Sequence, residues 1–226
     1  MSPKKPEKNS IRFDLQIIAS WIHPGSSVLD LGCGEGDLLA YLKKHKQVCG
    51  TGIERVESKV AIAIERGLTV LHGDINEEIS DYADRTFDYV ILSQTLQQVY
   101  RPSALIQSLL RIGRRGIVSF PNFSHWWIRL QLFFTGFAPI SKQLPYEWYD
   151  TPNIRVITIK DFRRFSREVG FYITREAAIN TSRSDRRGRI IQWMPNLLAT
   201  YGIFMIARDR EEKTHLPLRG VDDRER

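Results

Sequence analysis

Apolar and polar positions alternate along this chain in short blocks, and their period switches between that of a helix and that of a strand. Ile11, Leu15, Ile18 and Ile22 recur at helical spacing and stop at Pro24-Gly25. Val28 to Leu31 is a compact run that ends in a glycine-rich turn, after which Leu38, Leu39 and Leu42 restart a helical stripe. Gln47 to Ile53 reads as a second strand closed by Glu54. Ser58 to Glu65 (Val60, Ala61, Ile64) reads as a helix stopped by Gly67. Leu68 to His72, Phe87 to Leu92 and Gly116 to Phe120 read as three more strands, with a helix opened by Pro102 and ridged by Leu105, Ile106, Leu109 and Leu110 before the last. Further on, Thr158-Ile-Lys-Asp161 resembles a capping box with Asp in place of Glu, and it opens a helix striped by Phe162, Phe165 and Val169. Phe171 to Thr174 and Gly202 to Ala207 supply two late strands.

Strands alternating with helices predict an α/β fold of Rossmann-like type. The expected sheet is mostly parallel and seven-stranded, with helices on both faces. One domain over residues 11–210 is expected, between polar tails at 1–10 and 211–226, with no internal repeat. In such a sheet the ligand lies beyond the C-terminal ends of the strands, where the strand order reverses.

Four polar features fall at those strand ends. The first is Asp30-Leu-Gly32-Cys33-Gly34-Glu-Gly36. Its glycines follow G-x-G-x-G, whereas a dinucleotide loop is G-x-G-x-x-G. Acids at Glu35 and Asp37 also stand where a pyrophosphate would approach, which argues against a phosphate ligand. The second is Glu54, 24 positions after Asp30, where an acid can accept from both hydroxyls of a ribose. The third is Asp74 with Ile75, a carboxylate for an exocyclic amine beside an apolar residue for a ring. The fourth is Ser93-Gln94. Carboxylates in this number favour a cationic, hydroxyl-rich ligand, and S-adenosylmethionine fits.

These motifs resemble those of the class I S-adenosylmethionine-dependent methyltransferases. More narrowly, the chain resembles the MetW family of methionine-biosynthesis proteins. The resemblance rests on Gly52-Ile-Glu54, Phe87-Asp-Tyr-Val-Ile-Leu-Ser-Gln-Thr-Leu-Gln97, Gly113-Arg-Arg-Gly-Ile-Val-Ser-Phe-Pro-Asn-Phe123 and Leu144-Pro-Tyr-Glu-Trp-Tyr-Asp-Thr-Pro-Asn-Ile154. It covers roughly residues 11 to 210, and Arg155 stands where the family often has His. The resemblance implies a class I methyltransferase fold that takes S-adenosylmethionine or S-adenosylhomocysteine. It implies a partnership with a MetX-type homoserine O-acyltransferase of the α/β-hydrolase kind. Its implied cofactor-binding residues are Asp30, Gly32, Cys33, Gly34, Gly36, Glu54, Asp74, Ile75 and Ser93. The competing expectation is a free-standing small-molecule methyltransferase. Both need the same pocket.

Two segments stand apart from this frame. Between Pro121 and Pro139 lie Phe123, Trp126, Trp127, Leu130, Leu132, Phe133, Phe134 and Phe137, apolar nearly all round a helix. Such a helix is expected to be covered, either by the domain's own cap or by a partner. Leu144 to Ile154 reads as an aromatic, proline-stiffened lid, and its acids Glu147 and Asp150 are the candidates for any acid–base role, with plain loop anchoring the other expectation.

Composition changes this picture little. The 226 residues are 42% hydrophobic, enough for one sizeable core. No apolar run approaches the ~20 residues needed to span a bilayer. Cys33 and Cys49 are not expected to pair, which points to a cytoplasmic protein. Net charge is +7, but the basic residues are scattered. The densest group, Arg183, Arg186, Arg187 and Arg189, reads as a solvated loop, so nucleic acid is not the expected partner. His45, His72 and His125 lack neighbours at metal-ligand spacing, and no metal is expected. No Gly-x-Ser-x-Gly elbow is present, so acyl transfer itself is expected of the partner.

Overall fold

A computed structural model of the chain describes residues 11–141, 144–182 and 185–209; the tails expected at 1–10 and 211–226, and Arg183 of the arginine group, lie outside the described residues. The elements run α1 (Phe13–Trp21), β1 (Ser27–Leu31), α2 (Asp37–Lys46), β2 (Cys49–Glu54), α3 (Glu57–Glu65), β3 (Thr69–His72), α4 (Ile75–Glu78), β4 (Phe87–Ser93), α5 (Pro102–Ile112), β5 (Gly113–Pro121), α6 (Trp126–Thr135), α7 (Ile159–Val169), β6 (Tyr172–Asn180), β7 (Arg189–Ile190), α8 (Pro195–Leu198) and β8 (Tyr201–Ala207). They build one sheet in the order β3-β2-β1-β4-β5-β8-β6-β7. Strands β1 to β5 are parallel, and β8 runs antiparallel between β5 and β6. The seven expected strands are present. The eighth, β7, is two residues at the sheet edge, too short to leave a periodic signal, and it falls in the arginine-rich stretch expected to be a loop.

The pleat divides the core into two layers, because alternate residues of a strand face opposite sides. Val28, Tyr89 and Ile91 pack with Leu15 and Ile18 of α1 and with Leu38, Leu39 and Leu42 of α2. Leu29, Leu31, Val90 and Leu92 pack on the other side, with Leu105, Ile106 and Leu109 of α5 and Phe162 of α7. The stripe of α3 is offset from the expected one: Val60 and Ala63 are its buried residues, while Ile64 faces solvent. The capping reading holds at α7, where Thr158 Oγ1 accepts the Asp161 N–H (3.1 Å) and donates to the Asp161 carboxylate (2.7 Å).

Strand order reverses between β1, which continues outward to β2 and β3, and β4, which continues to β5. The cleft above the strand ends at this point is where such a sheet holds a ligand. On the opposite layer, Phe162 is the hub of an aromatic cluster, with ring centroids 5.1 Å from Phe120, 4.6 Å from Phe204 and 5.8 Å from Phe171. Phe162→Ala is therefore expected to lower the unfolding free energy by about 3–5 kcal/mol in chemical denaturation, since the cavity it leaves cannot collapse among rigid rings.

Candidate functional site

The loop after β1 is held in shape by β2. Gly32 and Cys33 donate their backbone N–H groups to the Ile53 carbonyl (2.8 and 3.1 Å). Gly34 donates its own to the carboxylate of Glu54 (2.9 Å). The other Glu54 oxygen accepts the Val56 N–H at the start of α3 (2.9 Å). Three successive amides that could cradle a phosphate are thus already engaged, which gives the non-phosphate reading a structural cause. Gly32 has φ +78°, and a Cβ there would stand 2.7 Å from Thr95 Oγ1, so no other residue fits.

Above this loop lies a cavity of about 530 Å³ lined by residues from the ends of β1 to β4 and from their loops. That is within the range of small-molecule sites, roughly 300–1,000 Å³. Asp30, Gly32, Cys33, Gly34, Glu54, Asp74, Ile75 and Ser93 all line it. Gly36 does not: with φ +78° it caps the N-terminus of α2, facing Leu68 and Ala63. In this position it turns the backbone into α2. Asp74 lines the cavity and also caps α4, its Oδ1 accepting from the Asn76 backbone (2.8 Å) and side chain (2.7 Å). The Ser93 and Ser119 hydroxyls are 3.0 Å apart. Glu147 and Asp150 are exposed and outside the lining, although Tyr146, Pro152 and Asn153 of the same segment belong to it.

The cavity lining carries five acids, Asp30, Glu35, Asp37, Glu54 and Asp74, and three bases, Arg12, Arg55 and Lys59. Asp30 is buried, and its pKa is pushed up to about 7 by that burial and by the nearby Glu54, against a lowering from Arg12. Burial, with Asp30 and Glu54 beside it, also pushes the Cys33 thiol well above the usual range, so it stays protonated and unreactive at neutral pH. Glu35 and Asp37 are less available than the sequence suggested. Arg66, at the C-terminal cap of α3, pairs with both, at 3.3 and 2.7 Å. A cation bound near Asp30 and Glu54 would stabilise both ionised forms. Glu54, with about four acceptor positions on its two oxygens, has capacity left for hydroxyl donors.

One half of the site escaped sequence reasoning. Arg12, at the start of α1, makes a two-pronged contact with buried Asp14 (3.2 and 2.9 Å), and Gln94 donates to the same carboxylate (2.7 Å). Arg12, Leu15 and Gln94 line the cavity, so α1 forms one of its walls. The available signal was an acid, Asp14, set among the apolar positions of the α1 stripe. The segment after α6 is tied down as well. Ile154 and Arg155 both donate their N–H groups to the Gln97 carbonyl (3.0 Å each), and the Arg155 guanidinium donates to the Tyr100 carbonyl (2.7 Å). Arg155, where the family often has His, is thus an anchor for this strap. Gln97 itself is buried and lines the cavity, and its buried Oε1 has no hydrogen-bond partner among the described residues. The carboxylates in the wall fit an amine- and hydroxyl-bearing ligand.

The fold is the α/β, Rossmann-like fold of the methyltransferases. An S-adenosylmethionine-dependent methyltransferase from Thermotoga maritima superposes with a TM-score of 0.61 at 17% identity, covering 87% of this chain and 88% of its own. TrmK of M. capricolum, solved with S-adenosylhomocysteine, superposes with a TM-score of 0.54 at 13% identity, covering 88% and 70%. Residues 12–206 match the family described as methionine biosynthesis protein MetW, and the chain belongs to that family. The bifunctional methionine biosynthesis protein MetXA/MetW of Rhodopirellula baltica is 33% identical over 193 residues. The match takes in 81% of this chain and 31% of that much longer protein. Among the described residues no helix is long and apolar enough to cross a membrane, and no three His, Cys, Asp or Glu side chains are grouped to hold a metal ion.

The raised Asp30 pKa has a measurable consequence. Between about pH 4 and pH 7 the folded protein keeps a proton on Asp30 that the unfolded chain has released, so stability contributed below pH 4 is lost as pH rises through 7. The loss amounts to about 4 kcal/mol. Denaturation of the ligand-free protein across this window is expected to show that fall, and Asp30→Asn to flatten it. An unchanged profile in the variant would assign the fall to other groups.

Proposed function

We propose that the acidic cavity binds S-adenosylmethionine or S-adenosylhomocysteine, and that the chain is an accessory subunit of a MetX-type homoserine O-acyltransferase in the acylation of homoserine. The observation that carries this reading is the Rhodopirellula baltica relative, whose name joins MetXA and MetW in one polypeptide. The ligand half is supported by the donor set. Asp30 and Glu54 suit the positive charge and ribose hydroxyls of the ligand, Asp74 an exocyclic amine, and Ile75 the face of the ring. The sequence has no nucleophile elbow, so the acyl chemistry belongs to the partner.

A free-standing small-molecule methyltransferase is the second reading, favoured by the completeness of the cavity. Methyl transfer requires an in-line approach to the sulfonium methyl, and a hydroxyl acceptor also needs a base to take its proton. The two acids proposed for that task, Glu147 and Asp150, are not in the cavity wall, which weighs against it. The separating experiment is homoserine acylation by the purified acyltransferase with and without this chain. The accessory reading expects acylation to rise when the chain is added. No change, together with a discrete methylated product from labelled S-adenosylmethionine and a metabolite extract, would favour the enzyme.

The ligand half has its own test. Glu54→Ala removes acceptors whose hydrogen bonds are worth about 1.5–3 kcal/mol each when charged. Calorimetry is expected to show S-adenosylmethionine binding to wild type and at least a tenfold loss in the variant, of the size that one such bond implies. Equal affinity would remove Glu54 from the ligand's contacts.

A further inference from the structure

Helix α6 is apolar on nearly every side, and such a helix normally lies in a core. Here Ile128 is its one buried residue. Phe133 and Phe134 are 80% and 75% exposed, and Phe137, just past the helix, is 78% exposed. The single charged residue, Arg129, is turned back along the chain: its Nε donates to the Ser124 carbonyl (2.8 Å) and its guanidinium to the Ser124 hydroxyl. Of the two expectations for this segment, cover by the domain's own cap is the one the structure does not bear out. What remains is a contiguous run of rings facing water, larger than scattered surface apolar residues require.

The surface is shaped as well as apolar. Beside the first turn of α6, Trp126, Trp127, Ile128, Leu144 and Pro121 line a cleft of about 300 Å³, with Asn122, His125, Ser141, Asn180 and Thr200 as its polar part. Pro121 is also part of the acidic cavity's wall, so an occupant of the cleft would sit next to that cavity. The strap that begins at Leu144 adds exposed Trp148 and Tyr149 within five residues and reaches the cavity at Tyr146. A lipid surface is a poor match, since interfacial helices carry rows of Lys and Arg on their polar face. Helix α6 has no lysine, and its arginine is engaged.

We propose that α6 and the cleft beside it are the docking surface for the MetX-type acyltransferase, an inference that rests on the partnership proposed above. The chemistry of the face selects this occupant. Permanent interfaces are more apolar than transient ones and are anchored by aromatic residues. A partner that a relative carries in the same polypeptide is permanently associated in the fullest sense. The cleft gives one large apolar side chain of the acyltransferase a place to anchor. Docking there sets the acyltransferase beside the cavity, where occupancy by ligand can bear on the contact.

The test uses the full chain and a purified MetX-type homoserine acyltransferase, with binding followed by sedimentation. Phe133→Ser combined with Phe134→Ser is expected to weaken the complex at least tenfold, the loss typical of interface anchors. Its melting temperature and S-adenosylmethionine binding should stay as in wild type, because both rings lie in solvent. Ile64→Ser, which removes a 54% exposed apolar side chain from α3, should bind like wild type. Undiminished binding by the double variant overturns the docking surface and leaves the partnership standing; no binding by wild type overturns both. A photoreactive residue at position 133 gives a readout that does not depend on how the double variant folds. A cross-link to the acyltransferase supports the proposal. A cross-link to a second copy of this chain, or none within the formed complex, overturns it.

Discussion

The ligand end of this sheet depends on one buried carboxylate. Glu54 closes β2, and its two oxygens take the N–H of Gly34 on one side and of Val56 on the other. The first bond fixes the loop after β1, and the second fixes the start of α3. Without them, two of the segments around the cavity would have no common reference. A carboxylate in that position needs its ionised form to accept both bonds well, and an ionised group under cover raises the cost of ionising its neighbours. The character of the site follows from that.

Asp30 bears the consequence. It lies buried within reach of Glu54, with Arg12 offsetting only part of the repulsion, so its proton is held to near neutrality. A buried carboxylate with a raised pKa in a cleft is typical of a binding site. A cation would relieve the repulsion. Phosphate would worsen it, and the loop amides that might have compensated already serve the Ile53 carbonyl and Glu54. The acidic loop residues Glu35 and Asp37, which also line the cleft, are each paired with Arg66. The proposed selection of a positively charged ligand rests on the parts of the site that the fold does not neutralise by itself.

Much of this was legible in the sequence because it depends on local pattern. Strand runs ending in Asp30, Glu54, Asp74 and Ser93 follow from period and from punctuation by glycine, and parallel pairing then brings the four ends together. Gly36 lies outside the cavity lining, and a glycine motif alone does not say which glycine turns the chain and which lines a cavity. The contact of Gln94 with Asp14 behind the wall at Arg12 joins residues 80 positions apart, and nothing local announces it. The two-residue strand β7 has no period to detect. Helix α6 was the opposite case: its apolar pattern was plain, but pattern alone cannot say whether the cover is the chain's own or a partner's. Glu147 and Asp150 were chosen by residue type in a loop, and the path of a loop is set by anchors such as Arg155 on the Tyr100 carbonyl.

The central claim is that the cavity selects a cation through Asp30 and Glu54. The most direct measurement is the number of protons exchanged when ligand binds, obtained by calorimetry near pH 6.5 in buffers of different ionisation enthalpy. Protonated Asp30 must ionise as a cation settles beside it, so S-adenosylmethionine should release a fraction of a proton. S-adenosylhomocysteine, lacking the sulfonium charge, should release less, and Asp30→Asn should release none. Binding without proton release in wild type, or equal release in the Asp30→Asn variant, would contradict the account.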